Sequence, residues 1–205
     1  AAIMAKYGFA EFFDSDTPDF VREKIVGPDG EDLFLLSQEA RIRMAIVELG
    51  TTYIKFGQMM STREDIVGKE LAAELTSLQT QVPADPPGVA EALFELELGY
   101  PVEHYFQYFE EIPFSSGSIG QVHNATLYDG TEVVVKIQHE GIENKIKEDL
   151  KIIMNMADLI EEHSEKIGRF QPKALAKEFQ RILLRELDFD LERRSMETLI
   201  ENFKD

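Results

Sequence analysis

The sequence is defined first by what it lacks. Its 205 residues include no cysteine and only four histidines. Without cysteine there is no disulfide and no thiolate chemistry, which excludes a disulfide-stapled secreted domain. The four histidines are spread along the chain and form no recognisable zinc set. No apolar run approaches the about 20 residues needed to span a bilayer, and no segment has the basic start and apolar centre of a signal peptide.

Positive charge is also scarce. Lys and Arg number 21 against 39 Asp and Glu, which gives a net charge of -18. This balance argues against nucleic acid as a partner, because a phosphate-backbone binder needs a basic face. Hydrophobic residues make up 43% and charged residues 29% of the chain, so it can bury a core and is not disordered by composition.

The length suits one large domain or two small ones. The chain begins with Ala1 and ends at Asp205, just after a helical pattern, so we expect a fragment that is open at both ends. A short amphipathic helix is predicted over residues 5–15, and a turn with a linker over residues 27–36.

Residues 37–99 are predicted to be helical throughout. Ser37 is a plausible N-cap for the first helix, whose apolar residues recur at helical spacing, and Gly50 is placed to end it. Further helices are predicted over residues 51–62 and 69–79.

A proline-rich break, VPADPPG, follows at residues 82–88. We expect Asp85 to cap the next helix, with Pro86 or Pro87 at its first position and Gly99 at its end.

Strands are predicted where the composition changes, in PFSSGSIGQVHNATLYDGTEVVVKIQ, residues 113–138. The Asp129-Gly130 pair indicates a hairpin turn between a strand near residues 119–128 and one over residues 131–138. Two long helices are predicted after Ile142, over about residues 143–166 and 172–203.

The start of this stretch has features of a phosphate site. Ser115, Ser116, Gly117 and Ser118 make a turn of small residues that lets backbone N–H groups approach phosphates closely. Lys136 ends a valine-rich strand, and in protein kinases such a lysine contacts the α- and β-phosphates and pairs with a helical glutamate. An ordinary hairpin with an edge lysine is the alternative.

The segment RELDFDLERR, residues 185–194, offers carboxylates for that pairing. In one continuous helix Asp188 and Glu192 share a face, and so do Glu186 and Asp190. One of these faces could meet Lys136. With 39 acidic residues in the chain, a solvated acidic face is the alternative.

A second ambiguous pattern lies in TTYIKFGQMMST. Lys55 and Gln58 are three residues apart and project from one helix face. Gly57 in a helix interior costs up to about 1 kcal/mol relative to Ala, and such a glycine indicates close packing. The alternative is a surface lysine beside a tolerated glycine.

Taken together, these motifs resemble the UbiB family, the atypical protein-kinase-like proteins that include the coenzyme Q biosynthesis kinases. KFGQ at residues 55–58 resembles the family's KxGQ motif, and SSGSIGQVH at residues 115–123 is similar to its alanine-rich loop. VVK at residues 134–136 resembles the VAIK strand, ELD at residues 186–188 resembles the ExD motif, and Glu192 stands where the ion-pair glutamate is expected. The resemblance covers about residues 3–203.

The resemblance implies an α+β fold: a kinase-like N-lobe with a small antiparallel sheet and helices, preceded by a helical extension. The implied domains are an N-terminal segment and linker at residues 1–36, the extension carrying KxGQ at 37–100, and an incomplete N-lobe at 101–205. The family's C-lobe would lie outside this chain.

Roles for individual residues follow from the same resemblance. Lys136 would hold the α- and β-phosphates and pair with Glu192, with Glu186 as the second candidate. Together with Asp188 of the ExD motif, these three would be the catalytic residues of the chain. The helix carrying Lys55, Gly57 and Gln58 would lie across the active site, where Lys55 would approach Glu186 and Asp188. The residues covering the nucleotide would be Ser115, Ser116, Gly117, Ser118, Ile119 and Gly120.

The implied activity is that of an ATPase or small-molecule kinase rather than a protein kinase, with ATP or ADP and Mg²⁺ as cofactors. It would support ubiquinone or other isoprenoid-lipid biosynthesis. The implied partners are an isoprenoid lipid or lipid-biosynthesis proteins. The intact protein would be cytoplasmic and peripheral to a membrane surface, through regions outside this chain. A non-catalytic nucleotide-binding scaffold is the alternative, and a conventional protein kinase is disfavoured by the Lys55–Gln58 helix.

The sequence departs from the family pattern in two places. The loop reads Ser-Ser-Gly-Ser where Ala-Ala-Ala-Ser is usual, so we expect Gly117 to alter nucleotide preference, and Glu140 stands where a proline is common. Residues 139–205 supply no catalytic aspartate or Mg²⁺ ligands in kinase-like context. We therefore expect no metal site in this chain and no catalysis by it alone.

Overall fold

The computed structural model describes residues 2–9, 35–79, 82–163 and 168–204. By its backbone contacts the chain divides into a first unit, residues 1–80, and a second unit, residues 81–205. The domain boundaries after residues 36 and 100 remain predictions. A first helix, α1, spans Ala2–Lys6. Most of the predicted helix over residues 5–15 and of the predicted linker over residues 27–36 lies outside the described residues.

The first unit is helical, as predicted for its described part. Ser37 caps the second helix, because its Oγ accepts a hydrogen bond from the Ala40 amide at 3.1 Å. Gly50, with a φ of 100°, ends that helix and begins the next. Both predictions are confirmed. The helices are α2 Gln38–Leu49, α3 Thr51–Ser61, α4 Glu64–Val67 and α5 Lys69–Leu75.

Helix α5 is shorter than the prediction of residues 69–79. It ends at Leu75, where the Thr76 hydroxyl donates to the Ala72 carbonyl at 3.0 Å. The following residues form a turn that delivers Leu78 into a core with Met60 and Leu75. The helix therefore ends at Leu75, and the turn after it buries Leu78.

The second unit begins with a helix whose predicted cap is wrong. Helix α6 spans Val89–Leu98, and its N-cap is Gly88 in the left-handed conformation, with no side-chain hydrogen bond. Asp85 does not cap it, because its carboxylate bonds to His139 instead. Gly99, with a φ of 79°, ends α6 as predicted.

A four-stranded antiparallel sheet follows, made of β1 Phe106–Phe109, β2 Ser115–Ser116, β3 Gly120–Leu127 and β4 Glu132–Gln138. β3 is central: β1 and β2 pair with it, and β4 pairs along its whole length from Gly120↔Gln138 to Thr126↔Glu132. The predicted hairpin turn is confirmed, since Gly130 has a φ of 87° and Asp129 Oδ1 accepts from the Thr131 amide at 2.9 Å.

The described residues after the sheet include the helices α7 Ile142–His163, α8 Pro172–Leu187 and α9 Phe189–Asn202. The single helix predicted over residues 172–203 is wrong, because Asp188 interrupts it. Asp188 has an extended backbone, and its Oδ1 accepts from the amides of Asp190 at 3.1 Å and Leu191 at 3.2 Å. The predicted shared faces of Asp188 with Glu192 and of Glu186 with Asp190 therefore do not apply.

The core of the second unit joins α6 to the sheet. Ala90 and Phe94 of α6 and Val102 pack with Ile137 of β4, and the Phe94 ring lies 5.5 Å from that of Tyr105. The buried residues of α7 and α8 form a second set of contacts, because these two helices pack against each other. The predicted α+β class with a small antiparallel sheet is confirmed. Among the described helices, none has the length and apolar character needed to cross a membrane.

Candidate functional site

A cavity of about 420 Å³ opens where the loop before β3 faces the junction of α8 and α9. We call it the Lys136 cavity. The loop contributes residues 117–120, and β4 contributes Lys136. Glu186 of α8 and Glu192 of α9 also line it. Three segments that are distant in sequence therefore meet at one cavity in the second unit.

Lys136 and Glu192 form an ion pair at this cavity. Lys136 Nζ lies 2.5 Å from Glu192 Oε2 and 4.6 Å from the centroid of the Phe189 ring. Their side chains are 38% and 47% exposed. A pair this accessible to water adds only about 0–1 kcal/mol to stability. The pair instead fixes the position of an ammonium group that a ligand can reach.

Local structure explains why these two side chains meet. β-strand alternation places Lys136 on the face of β4 opposite to buried Ile137. The Asp188 cap starts α9, so that Glu192 falls in its first turn. The Gln138 side chain donates to the Leu187 carbonyl at 2.6 Å, which ties β4 to the α8–α9 junction.

Of the two glycines in the loop, Gly120 is the one that the neighbouring backbone of β4 requires. A Cβ on Gly120 would lie 2.3 Å from the Ile137 carbonyl oxygen, so no other residue fits where β3 meets β4. A Cβ on Gly117 would have its nearest neighbour, the Gly120 carbonyl oxygen, at 3.7 Å, which is ordinary contact. The Gly117 amide donates to that same oxygen at 3.0 Å and closes the turn.

The two serines that precede the turn lie elsewhere than predicted. Ser115 and Ser116 form β2 and pair with Val122 and Gln121 of β3. They are strand residues rather than part of the turn, and they do not line the Lys136 cavity. The turn itself comprises Gly117, Ser118, Ile119 and Gly120, all of which line it.

Of the two remaining acidic candidates, only one faces the cavity. Glu186 lines it, near the C-terminal end of α8. The carboxylate of Asp188 is engaged by the backbone amides that begin α9. Any catalytic role of Asp188 therefore comes in addition to its role as a helix cap.

The KFGQ segment has a packing role within the first unit. The Gln58 side chain donates to the Leu78 carbonyl at 3.0 Å. A Cβ on Gly57 would lie 2.5 Å from Leu78 Cδ1, so the close packing predicted at Gly57 is with Leu78. Lys55 is half-buried on the same helix, α3.

Sequence reasoning missed several residues at the site. Arg185 and Ser195 line the Lys136 cavity. Ser195 could have been predicted from its spacing, because it lies three residues after Glu192 and therefore on the same face of α9. His139 and Gln121 are buried polar side chains next to the loop, and both contact Asp85.

The donors at the cavity suit an anion. The Lys136 ammonium and a turn of small residues are groups that bind phosphate oxygens. In the residues that the structure describes, no group of three or more His, Asp or Glu side chains could hold a metal ion.

Comparison with known proteins gives a consistent result. The family of the ABC1 atypical kinase-like domain matches residues 77–205. The chain is 40% identical over 166 residues to a "Probable protein kinase UbiB" from Shewanella loihica, covering 80% of this chain and 30% of that protein. It is 38% identical over 169 residues to the protein of the same name from Marinobacter nauticus, covering 82% and 31%. The chain thus spans about a third of the length of these relatives.

Proposed function

The chain belongs to the UbiB family of ABC1 atypical kinase-like proteins, and we propose that its Lys136 cavity binds the phosphates of ATP or ADP in the intact protein. The observation that carries this proposal is the ion pair of Lys136 with Glu192, 2.5 Å long, in the lining of a cavity that a small-residue turn also lines.

In this proposal each segment has a physical task. Lys136 neutralises charge on the phosphates, and Glu192 keeps the ammonium in place when the site is empty. The turn of residues 117–120 brings main-chain groups close to the nucleotide. Gly120 lets the end of this turn approach β4 closely, because it lacks a Cβ. Glu186 lines the same cavity.

We propose further that the intact protein uses this nucleotide for ATP hydrolysis or phosphoryl transfer in support of ubiquinone or other isoprenoid-lipid biosynthesis. The printed name of the relatives, probable protein kinase, supports a phosphoryl-transfer class. The lipid partner, the membrane surface and the cytoplasmic location are parts of this proposal. They concern a protein about three times the length of this chain, if it resembles its relatives in length.

The test is turnover of ATP by the intact protein. Lys136→Ala and Glu192→Gln should each lower turnover by roughly 10²-fold, since each removes or frees the charge that stabilises the transferring phosphates. Lys147→Ala is the matched control, because Lys147 forms an exposed pair with Glu143 at 2.5 Å on α7. Full turnover in Lys136→Ala would overturn the assignment. Nucleotide binding without any turnover in the wild type would favour a non-catalytic nucleotide-binding scaffold.

The segment with Lys55, Gly57 and Gln58 is proposed to restrict access of protein substrates. The wild-type intact protein should then transfer no phosphate to a generic protein substrate, and Lys55→Ala should allow measurable transfer. Gln58→Ala is the companion variant, because it also loosens Leu78. Efficient transfer by the wild type would revive a conventional protein kinase.

A further inference from the structure

A buried histidine lies behind the turn that faces the Lys136 cavity. His139 directly follows β4 and is 8% exposed. Its Nδ1 lies 2.9 Å from Asp85 Oδ2, and its Nε2 lies 2.9 Å from the Gly117 carbonyl oxygen. A carboxylate and a carbonyl are both acceptors, so the ring donates to both only when both nitrogens carry a proton. The ring thus bridges the Asp85 carboxylate and the Gly117 carbonyl.

His139 holds the turn at two points. Its ring contacts the Gly117 carbonyl, and its backbone amide donates to the Ile119 carbonyl at 2.9 Å. Within the turn, the Gly117 amide donates to the Gly120 carbonyl at 3.0 Å. The turn is therefore closed by one of its own backbone hydrogen bonds and held in place by two contacts with His139.

Asp85 is itself held in place by a residue of β3. The Asp85 amide donates to Gln121 Oε1 at 2.9 Å, and Gln121 is 1% exposed. Asp85 lies in the proline-rich segment of residues 82–88. A buried charged pair loses hydration and is weak evidence for stability by itself. Its complete set of hydrogen bonds around one turn suggests that it sets a conformation.

We propose that His139, held by Asp85, is a positioning residue that sets the conformation of residues 117–120 and thereby the affinity of the Lys136 cavity for nucleotide. His139 does not line that cavity, and its side chain acts through the Gly117 carbonyl. The proposal rests on the proposed nucleotide-binding role of the turn. It adds residues to the site that none of the phosphate-binding motifs contains.

Two variants separate the hydrogen bond to Gly117 from the hydrogen bond to Asp85. In His139→Gln the amide nitrogen is as many bonds from Cα as Nε2, so it can still donate to Gly117. In His139→Asn the amide nitrogen matches Nδ1, so it can donate to Asp85 but not to Gly117. Asn is one methylene smaller than Gln, so the packing control is His139→Leu, which fills the space but donates to neither partner. Positioning predicts that His139→Leu loosens the turn as His139→Asn does, and a space-filling role predicts that it does not.

Hydrogen-exchange mass spectrometry on the intact protein without nucleotide is the first readout. His139→Asn should speed exchange in residues 115–120 by about tenfold, the size expected for one lost charge-assisted hydrogen bond. His139→Gln should stay close to the wild type. Asp85→Asn alone should speed exchange. In the double variant with His139→Gln it should add little, because the glutamine no longer contacts Asp85. Equal exchange in the Asn and Gln variants would overturn the proposal.

Nucleotide titration of the same variants is the second readout. The Kd for ATP should rise about tenfold in His139→Asn and little in His139→Gln, in line with the exchange result. An unchanged Kd in His139→Asn despite a loosened turn would also overturn the proposal. If the wild type binds no nucleotide, the proposed function fails, and the exchange data still decide whether His139 positions the turn.

Discussion

At the residue scale, the two glycines of the turn differ in what they tolerate. Gly120→Ala should destabilise the second unit by about 1–3 kcal/mol, because the new Cβ meets backbone that cannot move aside. Gly117→Ala, whose Cβ has room, is the matched control and should unfold like the wild type. Thermal and denaturant unfolding of both variants measure this difference. Equal stability of the two would contradict the close approach of Gly120 to Ile137.

The sequence identified both glycines as candidates but did not show which of them tolerates a side chain. Gly117 attracted attention because it departs from the family's alanines, and its effect on nucleotide preference remains a prediction. Competing ATP and ADP titrations that show the same ratio for wild type and Gly117→Ala would refute it. The requirement at Gly120 depends on the carbonyl of Ile137 across the hairpin. Only the three-dimensional register shows that contact.

Glu48 gives the first unit a defined dependence on pH. Hydrogen bonds from Lys6 at 2.6 Å and from the Tyr7 hydroxyl at 2.7 Å hold the pKa of the Glu48 carboxyl below its usual value. The same contact and burial raise the pKa of Tyr7 to about 12.

A lowered carboxyl pKa means that the folded state favours the charged form. Its contribution is present above the ordinary pKa of about 4.3 and is lost as the pH falls through the lowered value. Glu48→Gln should therefore cost at most about 1 kcal/mol at pH 7, because the side chain is partly exposed. Denaturant unfolding at pH 7 and pH 3 should show this difference shrinking. A difference that grows toward pH 3 would contradict the assignment.

At the element scale, Asp188 divides the C-terminal helical region. Asp188→Ala should lower the free energy of unfolding by about 1 kcal/mol, since the amides at the start of α9 lose their acceptor. Asp188→Asn keeps an acceptor of the same shape and should unfold close to the wild type.

The Asn variant also separates the cap from catalysis. If Asp188 acts as the resemblance implies, Asp188→Asn in the intact protein should lose turnover while its unfolding midpoint stays near that of the wild type. Turnover assays and thermal unfolding on the same preparation measure both. Wild-type turnover in Asp188→Asn would leave Asp188 with the helix cap alone.

The elements predicted well are those that local chemistry determines. The Ser37 cap, the glycines that end α2 and α6 and the Asp129-Gly130 turn depend on residues within a few positions of each other. The Asp85 cap was wrong because its carboxylate bonds to His139, 54 residues away. The break at Asp188 was missed because helical periodicity continues across it, and the capping role of an aspartate is not visible in periodicity.

At the scale of the whole molecule, the site exists only after folding. Lys136 and Glu192 are 56 residues apart in the chain. Helical spacing left two acidic faces open as partners for Lys136, and the family resemblance named Glu192 first and Glu186 second. The structure places Glu192 beside the ammonium and Glu186 along the same cavity. The roles of Arg185 and His139 could be seen only in the folded structure, because no sequence motif contains them.

Nucleotide binding is the central claim, and one titration tests it most directly. ATP and ADP are titrated by calorimetry into the intact protein, as wild type, Lys136→Ala and the control Lys147→Ala. The account predicts saturable binding in the wild type and the control, and at least about tenfold weaker binding in Lys136→Ala, because the phosphates lose a charge-assisted contact. Equal affinity in all three proteins, or no binding by the wild type, would contradict it.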